Sequence, residues 1–177
     1  NPGIPRGIAP EPSELVTFLP MAAVGEDGSV KTSEARPYAD VSKGYTVFCR
    51  GDVLLAKITP CMENGKAALV NSSSTKVACG STEFHVLRAR EGIDPRYLFH
   101  LIWNEPFRRL ATRNMTGSAG QKRVPKSFLE THSIPLPHKN GKPDLVEQKR
   151  IAAILDKADA IRRHRQQALR LTDDFLR

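Results

Sequence analysis

Residues 147–161 read EQKRIAAILDKADAI and open a run of about 30 residues, reaching the C-terminus, that contains neither Gly nor Pro. Apolar side chains recur along it at steps of three, four or seven, which is the spacing of a coiled-coil seam. The predicted seam, with the leucines that widen it, consists of Ile151, Ile154, Leu155, Ala158, Ile161, Ala168, Leu171 and Phe175. A straight helix over residues 144–177 would be roughly 50 Å long, more than a small core can cover. We therefore expect a second helix, from another chain or from a missing part of this one, to cover the seam.

The residues before this run predict a domain boundary. Residues 133–137 read SIPLP, and each Pro restricts the residue before it to extended geometry, so a short extended segment ends the globular unit. Asp144 followed by Glu147 resembles a capping box at the start of a helix. The chain therefore divides into a globular domain over residues 1–143 and a long helix over residues 144–177.

The globular part is rich in strand-forming segments separated by turns. Candidate strands cover residues 15–19, 45–49, 53–58, 66–70, 77–79 and 84–87, and Asn64-Gly65 predicts a tight hairpin turn. Asp94-Pro95 predicts the start of a short helix, and a second one follows the break at Glu105-Pro106. The expected fold class is α+β, a strand-rich domain with short helices followed by one long C-terminal coiled-coil-like helix.

Positive charge is concentrated in one segment of the chain. The net charge is +8 and the isoelectric point is near 9.7, a balance that favours polyanionic partners. Between Pro106 and Lys126 there are six Lys or Arg residues and no Asp or Glu, whereas from Asp144 onward eight Lys or Arg accompany six Asp or Glu. This split predicts a globular unit that contacts nucleic acid and a helix that contacts protein.

The strongest candidate interface runs from Arg113 to Lys126. Its glycines allow the backbone to approach a surface closely, its cations can neutralise phosphates, and its amides can pair with base edges. The candidate DNA-binding residues there are Arg113, Asn114, Thr116, Ser118, Gln121, Lys122, Arg123 and Lys126, and a second candidate patch contributes Lys57 and Lys66. An ordinary exposed loop, whose glycines serve only the turn, is the alternative that the sequence leaves open.

Other chemistry finds little support in the sequence. The five histidines are scattered, and no metal-ligand spacing, nucleotide-binding loop, methyltransferase Asn-Pro-Pro-Tyr motif or nuclease cluster is present. The single Trp103 is expected in the core. Cys49, Cys61 and Cys79 make an odd count without C-x-x-C pairing, which indicates reduced thiols in a cytosolic protein. We therefore expect no metal site, no catalytic residues and no membrane-spanning segment.

Three blocks of sequence resemble the specificity subunit of type I restriction–modification enzymes. They are LAKITPCMENGK at residues 55–66, GSAGQKRV at residues 117–124, and the junction from SIPLP at 133–137 to EQKRI at 147–151. The resemblance extends over nearly the whole chain from about Val16 onward, and the order and spacing of the blocks make it strong.

The resemblance implies a target recognition domain for double-stranded DNA, joined to a long helix that separates such domains and docks the partner subunits. The specificity subunit would have no catalysis and no cofactor of its own. S-adenosylmethionine would bind the methyltransferase subunit, which methylates adenine, and a restriction subunit would cleave DNA, all in the prokaryotic cytoplasm. Because one half of such a subunit is present, we expect a fragment or a natural half-subunit that pairs with a second copy.

Two alternatives remain open at this stage. The same module could belong to a single-chain restriction–methyltransferase, which a methyltransferase motif upstream would reveal. Alternatively, the chain could be a helical adaptor that does not bind DNA, whose charge is incidental.

Overall fold

The computed structural model describes residues 1–31, 33–71 and 75–175, and the predicted α+β fold is confirmed. Two sheets form the body. The first has the strand order β2-β1-β6-β3, with β1 and β6 parallel, and the second has the antiparallel order β5-β4-β7. The strands are β1 (Leu15–Leu19), β2 (Glu34–Pro37), β3 (Thr46–Cys49), β4 (Val53–Ala56), β5 (Ala67–Leu69), β6 (Val77–Gly80) and β7 (Phe84–Leu87), and a small ribbon follows from β8 (His138–Lys139) and β9 (Lys142–Pro143).

Short helices follow the sheets, and a long helix ends the described chain. They are α1 (Tyr38–Val41), α2 (Pro95–Trp103), α3 (Glu105–Arg113), α4 (Lys126–Thr131) and α5 (Leu145–Phe175). Asp94 caps α2 by accepting hydrogen bonds from the backbone N–H groups of Arg96 and Tyr97. The side chain of Asp144 accepts from the N–H of Glu147 at 3.0 Å, so α5 begins at the predicted cap.

Strand β4 lies at the centre of the core because both of its faces are covered. Val53 and Leu55 point to a cluster that includes Leu98 and Phe99 of α2, while Leu54 points to the opposite cluster with Phe48. This alternation is the two-residue period of a strand, and the side chains of β4 are fully buried. Since burying one such side chain is worth roughly 1.5–3 kcal/mol, β4 fixes the position of the elements on either side of it.

The first half of α5 docks on its own body through a polar face. Gln148 is fully buried, and its amide accepts from the N–H of Asp94 at 2.9 Å and donates to the carbonyl of Gly92 at 3.0 Å. Ala152 is buried one turn later, and Asp156 pairs with side chains of α2. One face of this half of α5 is therefore covered by its own body, which the hydrophobic pattern did not predict, while most of the predicted apolar seam lies on other faces.

The sequence-based expectations differ from the structure in two places. Asn64-Gly65 does not form a two-residue hairpin turn, because the connection between β4 and β5 spans residues 57–66 and only Gly65 of the pair has positive φ. Strand β2 and helix α1 were not predicted, because β2 is an edge strand with mostly exposed residues and no apolar alternation.

Candidate nucleic-acid interface

The segment Arg113–Lys126, here called the basic loop, is a small hairpin that projects between α3 and α4. Its stem is closed by Thr116 and Arg123, whose backbones exchange hydrogen bonds of 3.0 and 2.8 Å. Its tip is closed by the N–H of Gln121, which donates to the carbonyl of Ser118 at 3.0 Å. Gly117 and Gly120 both have positive φ, a conformation that costs other residues energy. The glycines therefore shape the tip.

The stem of the basic loop is attached to the chain that leaves β4. The N–H of Thr59 donates to the carbonyl of Lys122 at 3.0 Å, and the N–H of Val124 donates to the carbonyl of Lys57 at 2.8 Å. Val124 is 1% exposed and belongs to the core cluster around α2. Backbone pairing therefore brings Lys57 next to the basic loop, so residues more than fifty positions apart share one surface.

Arg123 is held by the carboxylate of Glu83, which no pattern in the sequence indicates. Its guanidinium makes a two-pronged contact with Glu83, with Nε 3.0 Å from Oε2 and Nη2 2.9 Å from Oε1. The hydrogen bonds from Arg123 are the main reason that the pKa of Glu83 is lowered, and nearby Lys57 adds to the effect. Arg123 therefore contributes to anchoring the loop, and its charge is partly neutralised.

His85 supports the same attachment from β7. Its Nε2 lies 2.8 Å from the carbonyl oxygen of Val124, and because a carbonyl can only accept, this nitrogen carries the proton. Burial lowers the pKa of His85. The neutral imidazole is thus a structural partner of the stem.

The tip and rim of the basic loop are open to solvent. Thr116, Ser118, Gln121 and Lys122 are exposed. Asn114 ends α3 and donates its amide to the carbonyl of Leu110, and Lys126 forms an exposed ion pair with Glu130. Arg113 lines a shallow groove of about 390 Å³ along α3, beside Glu63 and Arg109. The loop therefore presents amide, hydroxyl and cationic groups on one projecting surface.

Lys66 lies in a different environment from Lys57. Its Nζ donates to the carbonyl of Met21 at 3.3 Å, and it lines a cleft between the body and α5. The structure therefore does not join Lys66 to the basic loop. The sequence alone does not show that Lys57 and Lys66 lie on different surfaces. The two lysines stand at the two ends of the connection between β4 and β5, which is longer than the predicted turn.

The predicted seam of α5 is mostly exposed. Ile151 is half-buried, whereas Ile154 is 52% exposed, Ile161 is 69% exposed and Phe175 is 91% exposed. Leu155, Ala158, Ala168 and Leu171 are exposed as well. An exposed apolar stripe of this length is typical of a surface for another protein element, and its pairing with a second helix stays a prediction.

The remaining expectations concern the core, the thiols and metals. Trp103 is buried, as predicted, and its indole N–H donates to the carbonyl of Gly65 at 3.0 Å. The three cysteines are free thiols. Within residues 1–31, 33–71 and 75–175, no group of His, Cys, Asp and Glu side chains could hold a metal ion. None of the helices in the same ranges carries an apolar stretch able to cross a membrane.

The sequence matches the type I restriction modification DNA specificity domain over residues 19–171, and the chain therefore belongs to this family. It is 42% identical over 139 residues to the type I restriction enzyme EcoAI specificity subunit of Escherichia coli, covering 77% of this chain and 22% of that protein. It is 41% identical over 125 residues to the EcoEI specificity subunit of the same organism, covering 69% of this chain and 21% of that protein. The chain thus spans about a fifth of the length of these curated relatives.

Solved structures share the fold. The HsdS subunit from Thermoanaerobacter tengcongensis superposes with a TM-score of 0.66 at 25% identity, over 89% of this chain and 40% of that one. A chain from a structural study of complex assembly and conformational transition in a type I R-M system has a TM-score of 0.63 at 24% identity, with the same coverage. The predicted family and its α+β architecture are both confirmed.

Proposed function

We propose that this chain recognises one part of a double-stranded DNA target as the specificity component of a type I restriction–modification enzyme. Residues 1–143 act as the target recognition domain, and residues 144–177 act as the helix for spacing, dimerisation and partner docking. Partner subunits of this cytoplasmic assembly then methylate adenine or cleave the DNA. The chain itself supplies recognition and no catalysis.

The observation that carries this proposal is the construction of the basic loop. Its stem is fixed to the segment after β4 by backbone hydrogen bonds, to β7 by the side chain of His85, and to Glu83 by Arg123, while its tip remains exposed. A rigid base under an exposed tip of Ser118, Gln121 and Lys122 suits DNA recognition, because phosphate contacts position a protein and amide contacts to base edges provide specificity.

The partners follow from the family and from α5. The relatives are named as subunits of type I restriction enzymes, so we assign the exposed seam of α5 to a second copy or second half of the specificity subunit. Methyltransferase and restriction subunits dock on the resulting helical assembly. S-adenosylmethionine binds the methyltransferase subunit, and this chain needs no cofactor.

Replacing Lys122 with Ala tests the proposal. Lys122 is exposed and pairs with the body through its backbone carbonyl alone, so the change removes a charge and leaves the stem intact. If Lys122 neutralises one phosphate, the slope of log affinity against log salt becomes shallower by about one unit, and affinity falls equally on duplexes of different sequence. Fluorescence anisotropy with labelled duplexes at several salt concentrations measures both quantities.

The matched control is Lys43→Ala, which removes the same charge from the exposed turn between α1 and β3. It should leave the slope unchanged. Unchanged binding by a well-folded double variant that carries Lys122→Ala and Arg113→Ala would remove the basic loop from the DNA interface.

A further inference from the structure

The face of α5 that is turned toward the body is buried in the first half of the helix and exposed in the second half. Gln148 and Ala152 are buried, and Asp156 and Asp159 contact His100 of α2. Beyond them, residues 161–173 are all exposed, although the same face continues through Arg163 and Arg170 at helical spacing. The second half of this face therefore lies over the body without being buried by it.

A cleft of about 870 Å³ lies between this half of α5 and the body; we call it the helix cleft. Its helix wall contributes Arg162, Arg163 and Arg170, and its body wall contributes Lys31 and Lys66. The acidic residues that line it are Glu26 and Asp27. Five cations and two acids thus line the helix cleft, and the excess positive charge lies on the helix wall. A net positive lining of this kind favours an anion between the walls.

Some of these cations are oriented by the body. Arg163 donates to the backbone carbonyl of Asp27 at 3.5 Å. The guanidinium of Arg162 binds Asp159 at 2.8 Å and lies 5.3 Å from the centre of the Trp103 ring. Lys66 is held by its contact with the carbonyl of Met21. These contacts keep the cationic groups along the cleft and limit their freedom to turn away.

The other lining groups favour nucleic acid over an acidic protein segment. Asn64, Gln166 and Gln167 add amide groups to the helix cleft, and amides and cations are the side chains that contact the sugar–phosphate backbone. A protein partner would need an apolar centre. The apolar residues that line the helix cleft are Ala22, Val24 and Trp103, of which Val24 and Trp103 are buried, so they offer little apolar surface. Ile161 and Ala168 are rotated by about 140–180° from Arg163 and Arg170, at about 100° per residue.

We infer that the helix cleft is a second DNA contact, which binds the sugar–phosphate backbone of the duplex through Lys31, Lys66, Arg162, Arg163 and Arg170. The inference rests on the proposed function, since it takes the bound polyanion to be the target DNA. The helix cleft reads no bases, and its contribution is the same for every DNA sequence.

The test is a double variant of the full chain, Lys31→Gln with Arg170→Gln, which removes one charge from each wall. Its salt slope on duplex DNA should be shallower by about two units, at roughly 0.9 per phosphate, and by the same amount on unrelated duplexes. The control is Arg165→Gln, which removes the same charge about 140° around the helix from Arg170. The control should lose no more than a small fraction of the slope, and circular dichroism verifies that all variants are folded.

Two results separate this inference from the proposed function. If Lys122→Ala weakens binding and the cleft variant does not, the helix cleft is not a DNA contact although the basic loop is. If neither changes the slope, both assignments fail. If Arg165→Gln changed the salt slope as much as the cleft variant does, the effect would come from the overall charge of the protein, and the inference would be overturned. Loss of poly-glutamate binding by the cleft variant with unchanged duplex binding would also overturn the inference, since it would assign the helix cleft to an acidic polypeptide.

Discussion

At the scale of single residues, Asp156 joins the long helix to the body. Its carboxylate lies 2.8 Å from Arg96 and 2.7 Å from Nε2 of His100, both on α2. Burial by itself would raise the pKa of Asp156, but the hydrogen bonds from Arg96 and His100 outweigh burial and lower it below the ordinary value of 3.8. The ionised form is therefore the one that docks α5.

The lowered pKa gives a signed prediction for Asp156→Asn. A carboxylate whose pKa is lower in the folded than in the unfolded state stabilises the fold at pH values above its unfolded-state pKa. That stabilisation is lost as the pH falls through the folded-state pKa. At neutral pH we expect the variant to lose about 1 kcal/mol or less of the free energy of unfolding, since the side chain is partly screened by solvent. The difference from the unmodified chain should shrink as the pH is lowered below 3.8. Urea unfolding at several pH values measures it.

Asp173→Asn is the matched control, because Asp173 lies on the exposed end of the same helix. This variant should have nearly the same free energy of unfolding as the unmodified chain at every pH. If the free energies of unfolding of Asp156→Asn and the unmodified chain differed by the same amount at every pH, the Asp156 carboxylate would not stabilise the docking of α5.

Individual residues were predictable where chemistry and exposure coincide in a short segment. Ser118, Gln121 and Lys122 are exposed on the loop that the Gly-rich segment beside basic residues predicts, and their contact with DNA stays a prediction. Glu83 and Asp156 were not predicted, because an isolated acid gives no signal of its cationic partner, and these pairs span 40 and 60 positions. Long-range pairing is set by the packing of sheets and helices, which the local pattern does not contain.

At the scale of elements, α5 has two faces with different neighbours. The polar face with Gln148, Ala152 and Asp156 contacts the body, while Ile154 and Ile161, seven residues apart, occupy the exposed side. The exposed apolar residues follow the spacing of a helix–helix contact. We therefore expect this face to pair with another helix.

Replacing both Ile154 and Ile161 with Asp should prevent that association. Burying each Ile is worth roughly 1.5–3 kcal/mol, and a buried unpaired carboxylate costs more. We expect the unmodified chain to self-associate at tens of micromolar and the double variant to be monomeric, as measured by light scattering.

The matched control for the helix surface is Gln166→Asp with Gln167→Asp. It adds the same charge on the cleft side of α5 and should leave self-association unchanged. A monodisperse monomer of the unmodified chain under these conditions would contradict a self-pairing seam, and the second half of a longer specificity subunit would then be the remaining partner.

Elements with a strong local signature were predicted well. Strands β1 and β7 have the predicted bounds, and α2 begins after its predicted cap. The polar docking face of α5 was missed because hydrophobic spacing finds apolar faces, and this helix docks through an amide and carboxylates. The prediction of a tight Asn-Gly turn was wrong for a different reason. The carbonyl of Gly65 accepts a hydrogen bond from the indole of Trp103, so tertiary contacts set the shape of the connection.

At the scale of the whole molecule, recognition and chemistry are expected to lie on different chains. The sequence contains no Gly-rich cofactor loop and no Asn-Pro-Pro-Tyr motif, and methylation of a base requires a cofactor held beside a flipped nucleotide. We expect the purified chain neither to bind S-adenosylmethionine nor to methylate DNA. Equilibrium dialysis and transfer of labelled methyl groups measure this.

A mixture of the chain with the methyltransferase subunit should methylate DNA. The same mixture made with the Lys122→Ala variant should methylate DNA more slowly. Methyl transfer by the chain alone would instead place it among the fused restriction–methyltransferases.

The way the basic loop is attached has a consequence for how such a protein can evolve. The stem bonds of Thr116, Lys122 and Val124 are made by backbone atoms, so they do not depend on which side chains occupy the tip. Residues 118, 119 and 121 can therefore change at little cost in folding free energy. If the tip contacts DNA as proposed, stability and preference for a DNA sequence are then nearly independent traits. New preferences can arise by drift at the tip while the rest of the molecule stays under its own selection.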